Sequence, residues 1–250
     1  MAEALAPLAA RLRQLFPLSR GDIEQLVDLP HTRECLGNSK TLVTQGSSLG
    51  FCCMLSSGIA ARDRTTRAGT RQLLGFYLRG DLIGISEALL GVAHDNIQLF
   101  GPAEIVRISR EAVLTLADSR PAIARALWMQ TLIDASIARE WTLNVGRRDA
   151  RQRLLHLLCE LAFRQYQAGI YAENEITIPL SQEQLADALG LTPVHINRVL
   201  QSLRGGSEID RQGRTIKIKD WDALARQADF DDSYMRVGGV ALPDLAFSFR

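Results

Sequence analysis

The chain has 250 residues, which is enough for two hydrophobic cores, and its 46% hydrophobic and 23% charged side chains are typical of a globular protein. The apolar runs are too short to cross a bilayer, and the start of the chain lacks the segments of a secretory signal, so we expect a cytoplasmic protein without a membrane partner. A formal net charge of +1 allows only local positive patches and does not by itself indicate a nucleic-acid partner.

Short segments separated by turns occupy the first half of the chain. After two predicted helices at residues 5–18 and 20–27, apolar runs such as residues 41–44 and 51–55 alternate with turns that contain glycine and serine. Many short strands at this spacing predict a small antiparallel barrel or jelly roll. We assign this barrel domain to residues 1–118.

A long helix is predicted over residues 119–146, with Pro121 near its start. Its apolar side chains recur at nearly alternating steps of four and three residues, which is the pattern of a coiled-coil seam. The row consists of Ala122, Ala126, Met129, Ile133 and Ile137. We interpret it as the interface of a homodimer, although the same row would also suit packing against the barrel of its own chain.

Residues 181–203, SQEQLADALGLTPVHINRVLQSL, have the pattern of two short helices joined by a tight turn. Ser181 begins the first helix with a capping box, and Gly190 permits a sharp exit from it. Thr192 is the N-cap of the second helix, and Pro193 occupies its first position, where the missing N–H costs nothing. This pattern predicts a helix-turn-helix whose second helix enters the major groove of DNA.

The second helix presents a polar face, because its apolar residues recur at three- and four-residue spacing and turn inward. Four side chains on the outer face are candidates for reading bases: Val194, His195, Asn197 and Arg198. Arg198 can pair with guanine, and Asn197 can bridge the two major-groove groups of adenine. An ordinary helical hairpin is the alternative interpretation.

A β-hairpin wing is predicted after the helix-turn-helix, because residues 208–210 and 215–219 flank a turn and the second segment alternates polar and apolar side chains. Polar and cationic residues of both modules are candidates for contacts with the sugar-phosphate backbone, which add affinity but little sequence information. They are Ser181, Gln182, Thr192, Gln201, Arg211, Arg214 and Lys217. We assign residues 147–250 to a DNA-binding domain that includes a C-terminal tail.

Cysteine and histidine are placed too sparsely for a metal or catalytic site. The four cysteines lack paired C-x-x-C spacing, so we predict buried thiols and no metal site. The four histidines are scattered, and none forms a pair with serine or cysteine whose spacing indicates a nucleophile. We therefore predict no catalytic residues and no enzymatic activity.

The order and spacing of several phrases resemble the Crp-Fnr superfamily of bacterial transcription regulators. They are Gln45-Gly46, MLSSG at residues 54–58, GTRQLLGF at residues 69–76, GDLIG at residues 80–84, and the helix-turn-helix segment. The resemblance covers most of the chain. It implies an α+β protein with an N-terminal cupin-like sensory barrel, a dimerisation helix and a C-terminal winged helix-turn-helix. It also implies a homodimer that binds a near-palindromic promoter site in double-stranded DNA and meets RNA polymerase there.

Two effector signatures of this family are missing. Cyclic-nucleotide binders carry a glutamate after the glycine of a Gly-Glu phrase and an Arg-Ser pair that holds the phosphate, but here Ile85 follows Gly84. No arginine or lysine occurs between Leu82 and Val106, and a buried phosphate without a cation bears a desolvation cost, so the sequence argues against cyclic AMP. The clustered N-terminal cysteines of the iron-sulfur branch are absent from residues 1–34, which argues against that cluster as well.

The sequence identifies no cofactor. Glu87, His94 and Arg139 are the candidates for effector contacts. Haem ligation by His31 or His94 has no support beyond two lone imidazoles, which are more often exposed or hydrogen-bonded side chains.

A sensor or scaffold of the same fold that has lost DNA binding is the alternative function. Gly205, Gly206 and Ser207 follow the second helix where relatives carry a more charged link, and flexibility at these positions would loosen the wing. Binding to genomic DNA fragments separates the two functions.

Overall fold

The structure, a computed structural model, describes residues 4–37, 40–170, 175–203, 209–212 and 215–236. Two compact units are present: the first holds residues 4–64 and 75–135, and the second holds residues 65–74 and 136–236. Within the described part of the chain, no helix combines the length and the apolar character needed to cross a membrane.

Two four-stranded antiparallel sheets lie mainly in the first unit, and residues 71–74 of one strand belong to the second unit. Their strands are β1 (His31–Leu36), β2 (Thr41–Val43), β3 (Phe51–Ser57), β4 (Ala60–Thr65), β5 (Arg71–Tyr77), β6 (Leu82–Ile83), β7 (Asn96–Leu99) and β8 (Ala103–Ser109). The strand orders are β1-β8-β3-β6 and β2-β7-β4-β5. Every second residue of β7 is buried, because successive side chains of a strand point to opposite faces of the sheet.

An apolar core fills the space between these sheets. Cys53, Leu55, Ile97, Leu99 and Ile105 are all fully buried in it. Each large aliphatic side chain of this kind contributes roughly 1.5–3 kcal/mol through the apolar surface that it removes from water. The core confirms the antiparallel barrel that the short, turn-separated strands predict, and with it the α+β fold class.

Helices precede and follow the barrel strands, and one short helix lies between β6 and β7. They are α1 (Ala6–Leu15), α2 (Arg20–Val27), α3 (Ile85–Leu90), α4 (Arg110–Ser119) and the first part of α5 (Pro121–Arg147). Ser19 starts α2 with a capping box, in which Ser19 N donates to Asp22 Oδ2 at 2.9 Å and Asp22 N donates to Ser19 Oγ at 3.2 Å. Gly84 precedes α3 with a φ of 95°, a conformation that favours glycine.

The row of α5 that the sequence predicts as a dimer seam lies on the inner face of this helix. Ala126, Ile133 and Ile137 are at most 5% exposed within a single chain. Ala122 and Met129 are half-buried. The row therefore packs inside its own chain, as the alternative interpretation has it, because helical periodicity does not tell which body covers an apolar face.

The second unit is built around one long helix. Its elements are the remainder of α5, α6 (Ala150–Gln167), β9 (Glu175–Thr177), α7 (Gln182–Leu189), α8 (Pro193–Ser202), β10 (Ile209–Gln212), β11 (Thr215–Ile218), α9 (Trp221–Ala228) and a 3₁₀ helix (Asp232–Met235). The buried side chains of Leu154, Leu158 and Phe163 lie on α6, which packs against α7, α8 and α9. The strand order β10-β11-β9 adds a third strand to the wing that the sequence does not predict.

Three of the four cysteines are buried thiols, as the sequence predicts. Burial raises the pKa of Cys52 and Cys53 to about 12, which leaves both thiols protonated and unreactive at neutral pH. Cys35 is exposed, so the prediction is wrong for this residue. It lies on β1, an edge strand of its sheet, where one neighbouring strand is missing and the barrel covers the side chains less completely.

Candidate nucleic-acid interface

A helix-turn-helix is formed by α7, α8 and the turn between them. Ser181 N donates to Gln184 Oε1 at 2.8 Å, and Gln184 N donates to Ser181 Oγ at 3.1 Å, which is the predicted capping box. Gly190 ends α7 with a φ of 61°, and a Cβ at this position would lie 3.1 Å from Val145 Cγ1. Both the backbone conformation and the available space therefore favour glycine at the turn.

Two arginines hold α7 in place within the second unit. Arg153 of α6 donates from Nη1 to the Leu189 carbonyl at 3.0 Å, so a cation meets the C-terminal end of α7, where unpaired carbonyls favour positive charge. Arg71 Nη2 lies 2.7 Å from Asp187 Oδ2. The first helix of the helix-turn-helix is therefore a fixed support for the second.

The second helix, α8, begins as the sequence predicts. His195 N donates to Thr192 Oγ1 at 3.3 Å, and Pro193 occupies the first turn. Ile196 and Leu200 are 0% and 5% exposed. Because these two residues face inward, the opposite side of α8 is turned outward along its whole first half.

The structure brings all four base-reading candidates together on this outer side. Val194 is 67% exposed, and His195, Asn197 and Arg198 are also exposed. Gln201 Nε2 donates to Asn197 Oδ1 at 3.1 Å, a side-chain pair one helical turn apart. Gln201 was predicted to contact the DNA backbone, and in the structure it holds the side chain of a predicted base reader.

Three candidates for backbone contacts, Ser181, Gln182 and Thr192, are exposed at the N-terminal ends of α7 and α8. The free N–H groups of a helix N-terminus carry partial positive charge and suit a phosphate. The hydroxyl oxygens of Ser181 and Thr192 accept hydrogen bonds within their own helices, and each hydroxyl keeps its own hydrogen for donation. These ends can therefore present several donors to an anionic backbone.

The wing carries the remaining candidates for backbone contacts. Lys217 of β11 is exposed and lies opposite Asp210 of β10 in the strand register, so an acidic neighbour reduces its local positive charge. Arg211 lies in β10, but its side chain and the whole of Arg214 are outside the described residues.

A buried ion cluster lies in the barrel of the first unit. Arg62 Nη1 on β4 is 2.8 Å from Glu87 Oε1 and 2.9 Å from Asp95 Oδ2, and Arg62 Nη2 donates to the Tyr77 hydroxyl at 2.7 Å. Glu87 is 2% exposed, so this predicted effector contact is paired with an internal cation. Burial raises the pKa of Tyr77, which stays a neutral phenol. The cluster therefore combines one guanidinium with two carboxylates and a phenol inside the barrel.

The other effector and haem candidates lie in separate places. His94 is exposed in the first unit, and Arg139 is exposed on α5 in the second unit, where its Nη2 donates to Ser136 Oγ at 2.7 Å. His31 Nδ1 lies 2.7 Å from the Leu29 carbonyl oxygen. In the portion of the chain that the structure covers, no group of three or more histidine, cysteine or acidic side chains is arranged to hold a metal ion.

Comparison with known proteins agrees with this geometry. Residues 152–227 match the family model of the Crp-like helix-turn-helix domain. The transcriptional activator protein FnrL of Cereibacter sphaeroides is 28% identical over 228 residues, which cover 89% of this chain and 91% of that relative. The fumarate and nitrate reduction regulatory protein of Escherichia coli K12 is 25% identical over 215 residues, or 85% of both chains. The C-terminal module therefore matches Crp-like helix-turn-helix domains, and the chain is similar to Fnr-type regulators over most of its length.

Solved structures share the fold of this protein. FixK2 from Bradyrhizobium japonicum superposes with a TM-score of 0.73 at 20% identity, over 80% of this chain and 98% of FixK2. A transcriptional regulator of the CRP family from Thermus thermophilus superposes with a TM-score of 0.61 at 20% identity, over 79% of this chain and 97% of that one. These likenesses support the barrel and the helix-turn-helix as parts of one fold.

Arg62 and Tyr77 are residues of the barrel cluster that the sequence interpretation missed. The segment between Leu82 and Val106 has no cation of its own, but β4 supplies one from elsewhere in the sequence. A signal was available: Arg62 stands two residues after the buried Ala60, and alternate residues of a strand share one face. The barrel therefore contains a cation, and carboxylates already neutralise it.

Proposed function

We propose that this protein is a transcription regulator of the Crp-Fnr type that recognises specific sequences in double-stranded DNA with α8. The exposed row of Val194, His195, Asn197 and Arg198, on a helix whose other face is buried, is the observation that supports this function most. Side chains at the start of such a helix reach base edges when the helix enters a major groove. The named relatives are a transcriptional activator and a regulatory protein.

The proposed contacts divide into two classes. Arg198 forks onto guanine, Asn197 bridges the major-groove groups of adenine, and Val194 contacts a thymine methyl. The remaining candidates position the protein on the sugar-phosphate backbone, through hydroxyl and amide donors at the helix ends and through cations of the wing. They are Ser181, Gln182 and Thr192 at the helix ends, with Arg211, Arg214 and Lys217 in the wing.

A second row on α5 supports a homodimer. Trp128 and Leu132 are 60% and 58% exposed, although both are large apolar side chains. Together with Ala135, Arg139 and Thr142 they follow steps of four, three, four and three residues, and all five are exposed. Such steps place side chains along one coiled-coil seam, where pairing would remove the apolar ones from water. We propose this row as the dimer interface, in place of the row predicted from the sequence.

A symmetric dimer determines the form of the operator. Two copies of α8 related by a twofold axis read two inverted half-sites, which lie about one turn of DNA, roughly 34–36 Å, apart. We therefore propose a near-palindromic promoter site. Regulation at a promoter brings the dimer to RNA polymerase and places the protein in the cytoplasm, and this activity requires no catalytic residue.

The functional division that we propose is a sensory barrel at residues 1–118, a dimerisation helix at residues 119–146 and a DNA-binding domain at residues 147–250. The boundary between the two compact units falls within α5, after Ala135, because this long helix contributes residues to both. An anionic effector in the barrel would compete with Glu87 and Asp95 for Arg62. This competition weighs against cyclic AMP.

Electrophoretic mobility shift against genomic fragments tests the proposed function. A retarded complex that unlabelled operator displaces, and random duplex does not, is the expected result. Absence of a complex with every fragment would contradict DNA binding and favour the sensor or scaffold. That alternative depends on residues 205–207, which are outside the described residues, so the binding measurement separates the two functions.

A further inference from the structure

The segment Asp229–Met235, here called the C-terminal strap, follows α9 and packs against α6. Asp229 ends α9 with a φ of 49°, which turns the chain back toward α6. The ring of Phe230 meets the His156 ring edge to face, with the centroids 5.3 Å apart, and the Tyr234 ring stacks on His156 at 6.0 Å. The strap is therefore a packed part of the second unit.

Glu160 of α6 is the shared partner of the strap and of α5. Tyr234 donates its hydroxyl hydrogen to Glu160 Oε2 at 3.2 Å, and Trp141 Nε1 of α5 donates to the same oxygen at 2.9 Å. Arg164 Nη1 lies 3.6 Å from the other oxygen, Oε1. Glu160 is 0% exposed, and burial raises its pKa, so the carboxylate depends on these groups in place of water. Glu160 therefore connects α5, α6 and the C-terminal strap.

Arg148 makes a second connection between the same elements. This residue follows α5, and its guanidinium donates from Nη1 to Glu140 Oε1 at 2.7 Å and from Nη2 to the Asp229 carbonyl oxygen at 3.0 Å. The Arg148 side chain is 7% exposed. His156 Nε2 lies 3.2 Å from Glu140 Oε1 without the alignment of a hydrogen bond. The strap therefore contacts the junction of α5 and α6 through Arg148.

The angle between α5 and α6 determines where α8 projects. Because α6 packs against α7 and α8, a change of the angle between α5 and α6 carries the helix-turn-helix with it. In a symmetric dimer each α8 has to meet its own major groove, about one turn of DNA from the other. A fixed angle between α5 and α6 would therefore give a fixed distance between the two DNA half-sites that a dimer reads.

We propose that the C-terminal strap is a positioning element for DNA recognition, and that the Tyr234–Glu160–Trp141 contact sets the half-site spacing that the dimer accepts. The proposal rests on the proposed function, which is DNA binding by a homodimer. Tyr234 and Glu160 are positioning residues, since neither lies on α8. They act by holding α6 against the end of α5.

The test uses the full chain and two sets of duplexes, one with a single half-site and one with two inverted half-sites whose spacing varies in steps of one base pair. Wild type should bind the best spacing about tenfold more tightly than a spacing two base pairs longer or shorter. Tyr234→Phe removes one hydroxyl from a buried carboxylate and should lower that ratio about threefold to tenfold. Its affinity for the single half-site should stay unchanged.

Two further variants make the outcome decisive. Arg148 Nη2 also lies 3.1 Å from Asp229 Oδ2, on a largely exposed side chain. Asp229→Asn removes the negative charge of this contact and should lower the ratio in the same direction. Tyr166→Phe removes a hydroxyl from the partly exposed Tyr166 of the same helix and should keep the wild-type ratio. Unchanged ratios in both strap variants, or equal weakening on single and paired half-sites, would overturn the strap proposal and leave the proposed function intact. A wild-type protein that binds no half-site would overturn both.

Discussion

Gln201 Nε2 donates to Asn197 Oδ1 at 3.1 Å, so two side chains one turn apart on α8 are joined on its exposed face. The hydrogen bond determines which way the Asn197 amide points and leaves one lone pair of its oxygen available. An asparagine reads adenine by offering an acceptor and a donor in a fixed order. The proposed base recognition by α8 therefore depends on Gln201, a residue outside the proposed base-reading set.

Replacing Gln201 with alanine should release the Asn197 amide. We expect discrimination in favour of adenine at one position to fall by about 1 kcal/mol, the contribution of one neutral hydrogen bond. Titration of the matched duplex, and of duplexes in which that base pair is changed, measures the loss. Equal weakening on every duplex would instead indicate the backbone contact that the sequence predicts for Gln201.

Arg198→Ala should lose discrimination at a single base pair by about 1–3 kcal/mol, because a bidentate contact with guanine is removed. The control is Lys217→Ala in the wing, which should weaken all sequences alike and flatten the dependence of affinity on salt. Titrations on matched and mismatched duplexes at two salt concentrations separate the two behaviours. Identical losses for Arg198→Ala on both duplexes would refute its base-reading role.

Leu132→Asp should convert the dimer to a monomer without unfolding it, because Leu132 is 58% exposed in the single chain and a carboxylate there would be buried only in the dimer. Its neighbour Ile133 is 5% exposed and serves as the control. Ile133→Ala should keep the dimer and lower the free energy of unfolding by about 2–4 kcal/mol. Analytical ultracentrifugation and chemical denaturation give the two readouts, and a dimeric Leu132→Asp would contradict the proposed interface.

Glu87→Gln should lower the free energy of unfolding by about 1.5–3 kcal/mol, since it removes one of the two carboxylates that contact Arg62 while Asp95 remains. The matched control is Glu104→Gln. Glu104 lies 3.9 Å from Arg33, and their side chains are 31% and 52% exposed. Loss of this pair should cost less than about 1 kcal/mol. Urea denaturation of both variants measures the difference, and equal effects would contradict a larger contribution from the barrel cluster than from an exposed ion pair.

His156 should make stability depend on pH below neutrality. Burial, with the nearby Arg148, lowers the pKa of His156 from 6.5 to about 3. Between these values the unfolded chain binds one more proton than the folded chain, so the free energy of unfolding falls as the pH falls. At about pH 4 the free energy of unfolding is lower by roughly 3 kcal/mol because of His156, and above about pH 7 this loss vanishes.

The variant His156→Phe tests this dependence, because phenylalanine keeps the ring packing and does not titrate. Its free energy of unfolding should change less between pH 7 and pH 4 than that of wild type. Replacement of the exposed His195 by phenylalanine is the control and should keep the wild-type dependence. A wild-type slope retained by His156→Phe would contradict the assignment.

Features that depend on neighbouring residues were predictable from the sequence. The caps at Ser181 and Thr192 and the turn at Gly190 form as expected, because each is determined within a few residues. Short strands separated by glycine turns were enough to predict the barrel. The outward position of Asn197 and Arg198 likewise followed from the helical period of the apolar residues beside them.

Features that depend on which elements meet in space were not predictable. Leu132 and Ile133 are adjacent and both apolar, yet only the fold shows that one is exposed and the other buried. Arg62 and Glu87 pair only because β4 and α3 come together in the barrel. Tyr234 reaches Glu160 across 74 positions of sequence, a contact that no local pattern indicates.

Selection from random duplexes by the purified chain, with the mass of the selected complex measured, tests most directly whether paired copies of α8 read DNA. The account predicts enrichment of an inverted repeat whose half-site centres lie about 10–10.5 base pairs, or a multiple of this, apart. It also predicts two chains on each duplex. Enrichment of no motif, or a single chain bound to an asymmetric site, would contradict it.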